Sequence, residues 1–380
     1  MSLPSAATPP TPAWEAPPRT HRTSSIILAV LGIVFGALAL LLVALYLLTA
    51  LGLPAVAVSA VLALFPLGIV LLAVRWIDRW EPEPRAALWF AFLWGAGVAV
   101  ALALLVDLGV EITAGAGRDP SLQEFQGAVL QAPFVEEIAK GAGVLILALA
   151  ARRYFDSPVD GIVYAAVVAG GFAFTENIVY FGSTLAESGA SGLGSVFVLR
   201  GIFSPFAHVM FTSCTGFAVG FAAQRYRAGG VVVAWLIGLV PAMLLHGLWN
   251  AAGFLVDDFF GYYLAVQLPI FLTAVALVVA LRRYEVRVTR TRLQEYADAG
   301  WFLPGEVTWL SSSSGRRDAR RWARGRSAQA GVSMKRFTAD ATRLAFARQR
   351  VVVGRGHLGP STDEAALLAA VTADRAAMLR

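Results

Sequence analysis

Long apolar runs separated by short polar breaks fill the chain up to about residue 281. They fall at about 26–50, 54–74, 86–110, 126–151, 158–181, 199–222, 230–255 and 259–281. Each is long enough to cross roughly 30 Å of hydrocarbon as a helix. Helix is the conformation in which every backbone polar group finds its partner inside its own segment. The pattern predicts an all-α fold, a polytopic membrane helix bundle of about eight transmembrane helices. The first run is longer than a signal-peptide core and no small-residue cleavage pattern follows it, so it reads as a retained span.

The polar breaks supply an orientation. With the N terminus inside, the inner segments hold Arg19 and Arg22, then Arg75, Arg79 and Arg85, then Arg152 and Arg153, then Arg225 and Arg227, then Arg282 and Arg283. The outer loops hold Arg118, with Arg200 at a span edge. Basic residues are retained on the cytoplasmic side during insertion, so both termini are expected in the cytoplasm. One inner break is distinctive: Asp78-Arg79-Trp80-Glu81-Pro82-Glu83-Pro84 joins the second and third runs. Its alternating prolines favour an extended, stiff turn, with Trp76 and Trp80 at interface depth.

Composition agrees with lipid as the main solvent: 57% of the 380 residues are hydrophobic and the mean hydropathy is +0.66. The formal charge of +6 is unevenly placed. From Arg282 onward there are 19 basic and 9 acidic residues, a net of +10, which leaves −4 for the rest of the chain. The expected organisation is a disordered segment over 1–24, rich in Pro, Ala and Thr, a transmembrane domain over 25–281, and a basic cytoplasmic tail over 282–380. Within the tail, Arg316–Arg326 reads as a linker or a lipid-facing patch. Ser361-Thr362-Asp363-Glu364 reads as a capping box opening a last amphipathic helix, Ala365 to Leu379. No basic motif interleaved with aromatics appears, so no nucleic-acid partner is expected. The single cysteine, Cys214, reads as a packing residue.

Ionisable groups inside membrane helices are costly and mark function. The fourth run carries Glu136, Glu137 and Lys140, the fifth Glu176, the sixth His208, and the seventh His246 and Asn250. Counted from the outer ends of their runs, Glu136, His208 and His246 lie roughly 14 Å deep and Glu176 roughly 8 Å deep. Four helices therefore bring polar groups to similar depth, where independent packing residues would scatter. Glu136 and Lys140 are separated by one turn, as are His246 and Asn250, so each pair can share a helix face. Pro133 and Pro205 precede these groups and are expected to kink their helices and make room for water.

Such a set suits hydrolysis. A glutamate, alone or with His208, takes a proton from a water that attacks a carbonyl. His246 and Asn250 donate hydrogen bonds to the developing oxyanion. The same residues offer a second route, with His208, His246 and Glu137 holding a divalent metal such as zinc. No His-Glu-x-x-His helix is present, and a metal-free glutamate mechanism is the rival. Buried Glu, His and Lys also relay protons, so an ion-coupled transporter is the alternative, and a non-catalytic membrane scaffold is a third reading.

In order, Glu136-Glu137-x-x-Lys140, Phe172-x-x-x-Glu176, the histidine His208 and His246-x-x-x-Asn250 resemble the motifs of the PrsW family of intramembrane proteases. The Asp78–Pro84 loop is similar to the segment before that family's third span. The resemblance covers about residues 60–255. It implies an intramembrane peptidase in a bacterial plasma membrane acting on a membrane-protein substrate, with an anti-sigma factor as the known substrate type. By similarity to the related CAAX-processing branch, Glu136 and Glu137 would activate water, and His246 with Asn250 would form the oxyanion site. Lys140 and Glu176 depart from that branch and take supporting roles.

Overall fold

The computed structural model describes residues 23–114, 119–152, 155, 157–353 and 363–379. The expected disorder over 1–24 falls almost wholly outside them, as do Arg118, Arg153, Ser361 and Thr362. Every regular element among the described residues is helical. The described residues divide into two compact units, within 22–287 and 288–380.

The first unit opens with α1 (Thr23–Leu51) and α2 (Leu53–Ile77). Next come α3 (Arg85–Leu93) and α4 (Val100–Ala114), fused by a π-helical stretch Trp94–Ala99. A short α5 (Pro120–Gln126) passes through a π-helical stretch Gly127–Gln131 into α6 (Ala132–Ala150). Then follow α7 (Pro158–Phe197), α8 (Ala207–Ala223) and α9 (Ala228–Leu255). A single turn, α10 (Phe259–Tyr262), leads to α11 (Leu268–Asp298).

Six stretches among the described residues are long and apolar enough to cross a membrane: Ala29–Leu51, Leu53–Ile77, Arg85–Thr113, Pro158–Ala223, Ala228–Leu255 and Phe259–Asp298. The eight runs read from hydropathy do not map one to one onto these six. Two of them share Pro158–Ala223. A third is helical but carries Glu136, Glu137 and Lys140 in its middle. The outer loop expected near 182–198 is largely helical instead: α7 comprises two helical stretches, 40 residues in all, that meet at a kink. Gly189 interrupts it at φ 65°, a value at which a side chain would be strained.

Interior and exterior are arranged as a bilayer demands. The core around Tyr164, Ala165, Val168 and Val219 is almost fully enclosed, while Leu42, Leu72, Ile112 and Leu244 are each at least 66% exposed. Such a surface would associate in water but is the ordinary outer face in lipid. The centre of the packing is α7. Its start is fixed by a capping box, in which Val159 N–H donates to Ser157 Oγ and Ser157 N–H to Asp160. Its crossing with α8 brings backbone against backbone: a methyl group at Gly216 would stand 2.3 Å from Gly161 O. Small residues let membrane helices approach this closely.

The Asp78–Pro84 turn is more than an interfacial spacer. Asp78 accepts from Glu83 N–H at 3.0 Å, and Tyr164 O–H donates to Glu83 Oε2 at 2.5 Å. Trp80, expected at the interface, is 4% exposed.

In the second unit, the last turns of α11 (from Val288) with α12 (Pro304–Leu310), α13 (Ser313–Arg326), α14 (Ala328–Val352) and α15 (Asp363–Leu379) build a core of Leu293, Phe302, Leu310, Phe337, Leu344 and Val371. The stretch expected as a linker is the helix α13. Ser312 and Ser327 cap α13 and α14, and Arg316 is tucked inward to donate to Leu310 O and Thr342 Oγ1.

Candidate active site

Four helices carry the polar groups that the sequence points to. Glu136, Glu137 and Lys140 lie in the first half of α6, just after the π-helical stretch and Pro133. Glu176 lies midway along α7. His208 is the second residue of α8, immediately after the break at Ser204–Phe206 that contains Pro205. His246 lies in the second half of α9. Both prolines therefore sit where the helix changes form.

Lys140 is fully enclosed and is the hub. Its Nζ stands 2.6 Å from Glu137 Oε1, 3.4 Å from Glu136 Oε2 and 3.1 Å from His208 Nδ1. The Phe172 ring lies 4.4 Å from the same ammonium, a favourable contact for a desolvated cation. Glu137 is fully enclosed as well and saturated: besides Lys140 it accepts from Thr212 Oγ1–H at 2.9 Å and His246 Nδ1–H at 3.1 Å. Glu136 has Lys140 as its hydrogen-bond donor, at 3.4 Å.

Each imidazole is oriented by a carboxylate. His246 Nδ1–H points at Glu137, and His208 Nε2–H donates to Glu176 Oε2 at 2.8 Å. A carboxylate can only accept, so these contacts fix the tautomers and turn His246 Nε2 and His208 Nδ1 toward the centre. There they stand 3.9 Å and 4.0 Å from Glu136 Oε2. Glu136, His208 and His246 each offer one ligand atom, and the three atoms lie within 4.8 Å of one another. The carboxylate expected from the sequence in such a group is Glu137; the structure puts Glu136 there and uses Glu137 behind His246. Two imidazoles and a carboxylate are a zinc-type donor set, and a carboxylate on the far nitrogen of each imidazole is the usual outer support of a metal-binding histidine. Charge points the same way. Three carboxyl groups, Glu136, Glu137 and Glu176, face two cations, Lys140 and Arg200, so one carboxyl has no cation of its own. The residues present fit a divalent ion, provided Lys140 releases His208 Nδ1 and Glu136.

Asn250 is not part of this cluster. Its Nδ2 donates to Ala128 O at 2.7 Å, satisfying a carbonyl in the π-helical stretch ahead of α6. Conversely, three contributors escape a reading of the sequence for site residues. Arg200, there only an edge charge, binds Glu176 and donates to Asn177 Oδ1 at 2.8 Å. Thr212 lies one turn after His208 on the same face, a spacing legible in the sequence. Trp94 Nε1–H reaches Ala139 O at 2.9 Å from a distant helix, and no local pattern signals that. Beside His208 is a cavity of about 20 Å³ lined by Asn177, Arg200, Ser204 and Trp249 among others, room for one water molecule.

Comparison with known proteins gives a consistent answer. The profile of a family described as PrsW family intramembrane metalloprotease matches residues 83–278. Protease PrsW of Clostridioides difficile (strain 630) is 32% identical over 194 residues, covering 50% of this chain and 76% of the relative. Protease PrsW of Geobacillus kaustophilus (strain HTA426) is 28% identical over 203 residues, covering 52% and 81%. Protease PrsW of Bacillus subtilis (strain 168) is 29% identical over 185 residues, covering 48% and 77%. No solved structure matches the chain.

Proposed function

The chain belongs to the PrsW family of intramembrane metalloproteases, a multi-pass bacterial membrane peptidase, and from that premise we propose how its site cuts and what it cuts. The substrate is a membrane protein cleaved in or beside a transmembrane segment. A membrane-spanning anti-sigma factor is the substrate type that the family resemblance suggests. Both termini face the cytoplasm, so the site lies in the outer half of the bilayer.

Glu136 is the working carboxylate. It accepts one long hydrogen bond, from Lys140 at 3.4 Å, and its Oε2 lies 3.9 and 4.0 Å from the two inward imidazole nitrogens. A water beside His208 gives a proton to Glu136 while its oxygen attacks the peptide carbonyl, and Glu136 returns that proton to the departing amide nitrogen. Lys140 is the counter-ion of Glu137 and supplies positive potential to the oxyanion. Glu137 and Glu176 act through His246 and His208, holding each ring and its tautomer. Asn250 holds the start of α6 through Ala128 rather than meeting the oxyanion directly. Glu136, His208 and His246 would hold a divalent ion, which when bound supplies Lewis acidity and lowers the pKa of a water.

The observation that carries this reading is the convergence of Glu136 Oε2, His208 Nδ1 and His246 Nε2 on one point, with a carboxylate behind each ring. The test is cleavage of a membrane-protein substrate in proteoliposomes. Glu136→Gln and His246→Ala should each lower the rate by roughly 10²–10⁴-fold while inserting normally. Full activity in either variant contradicts the assignment. Loss of activity on chelation, restored by zinc, supports the ion; insensitivity to chelators supports the glutamate acting alone.

A further inference from the structure

The 288–380 unit lies beyond the family match, and its charge is segregated. The stretch Arg316–Arg336 holds eight basic residues and one acid, Asp318, whereas the rest of 288–380 holds eight basic and seven acidic residues. Outside that stretch several charges are paired. Arg348 meets Glu295 and Glu364, Arg375 meets Glu306 at 2.7 Å, and Arg292 binds Glu295.

On α13 the buried positions are Gly315, Arg316, Ala319 and Ala323. Arg317, Arg321 and Arg324 follow an i, i+4, i+7 spacing on the opposite face and are exposed. Arg321 is 82% exposed, and its contact with Asp318, at 3.7 Å and half open to water, restrains it little. α13 and α14 form a hairpin in which Arg324 lies over Gly331. One turn past Gly331, Lys335 and Arg336 are exposed too, extending the positive face across both helices. Two apolar side chains border it, Trp322 at 39% and Val332 at 46% exposed. Trp322 carries Arg326 over its ring at 5.4 Å.

We propose that this α13–α14 face is a docking surface for the anionic headgroups of the bilayer in which the protein is embedded. A positive stripe edged by a tryptophan and a valine suits a headgroup layer, where basic groups meet phosphates and indole rings settle at the boundary. The covalent link to a membrane-spanning domain holds this surface near lipid at high effective concentration, an advantage that nucleic acid or a free acidic protein lacks. The proposal does not depend on the peptidase reading, and its test is blind to catalysis.

The test uses the full chain in nanodiscs, with a spin label at Val332→Cys in a Cys214→Ser background. In discs containing phosphatidylglycerol at low salt, the label should be shielded from an aqueous nickel complex and accessible to oxygen. In pure phosphatidylcholine, or at high salt, it should be open to water. Arg317→Gln/Arg321→Gln/Arg324→Gln should lower the docked-to-free ratio about 100-fold, near fivefold per charge. The corresponding triple lysine variant should retain docking, which separates charge from folding damage. Equal water exposure in both lipids overturns the proposal. So does shielding that survives charge removal, or shielding that appears only when duplex DNA or an acidic peptide is added.

Discussion

Glu136 and Glu137 are adjacent in sequence, and a helix turns neighbours by about 100°, so they face different surroundings. Glu137 meets Lys140, Thr212 and His246, and neither it nor Lys140 touches solvent. Removing one partner of a buried pair strands the other. Glu137→Gln should therefore lower unfolding free energy by about 3–5 kcal/mol, read from denaturation in detergent. Glu136→Gln should leave stability nearly unchanged, because it leaves the main counter-ion of Lys140 in place. Equal losses in the two variants would contradict this division of labour. The sequence exposes the residues but not the division: spacing shows that two glutamates differ in direction, and only the positions of α8 and α9 decide that Glu137 lies behind the His246 ring and Glu136 faces the inward nitrogens of both rings. Asn250 shows the same limit. One turn from His246 it looks like a site residue, yet a carbonyl freed by the π-helical stretch engages it.

At the scale of elements, close helix contact sets the geometry of His208. Gly216 is two turns beyond His208 on α8 and lies against Gly161 of α7. Gly216→Ala forces backbones apart where a methyl would stand 2.3 Å from an oxygen. A loss of about 1–3 kcal/mol is expected, with a fall in cleavage rate because His208 and Glu176 sit on the two separated helices. Unchanged melting and activity would contradict the crossing. The Asp78 turn yields a pH prediction outside the membrane. Burial raises the Asp78 carboxyl from 3.8 to about 6, against the opposing hydrogen bond from Glu83 N–H and the nearby Arg282. A carboxyl whose folded pKa is raised keeps its proton longer in the folded state, so its contribution is full below the unfolded value and is lost as pH rises through about 6. Asp78→Asn should then raise stability at neutral pH by about 1–3 kcal/mol and flatten the melting profile between the two values. A variant that melts lower at neutral pH and keeps the slope would refute this. Hydropathy locates the apolar runs, although its eight runs do not map one to one onto the six spanning stretches. It misses the helical continuation of α7, because a glycine- and serine-rich stretch looks like a loop although the backbone bends only at Gly189.

For the whole molecule, the division of charge is plain in the amino-acid sequence: an acidic membrane portion and a basic tail. What the sequence does not reveal is that the tail is a packed helical unit with its own core. Its apolar residues are spread over five helices, from the end of α11 to α15, whose pairing depends on long-range contacts. The central claim is that Glu136, His208 and His246 form a hydrolytic centre for membrane-protein substrates. Its most direct test compares cleaved peptide termini in membranes of cells carrying the wild-type chain or Glu136→Gln, expressed at equal levels. New termini in or just outside transmembrane segments, present with wild type and absent with the variant, are the predicted result. Matching sets of termini from both, with the protein inserted and abundant, would contradict the account.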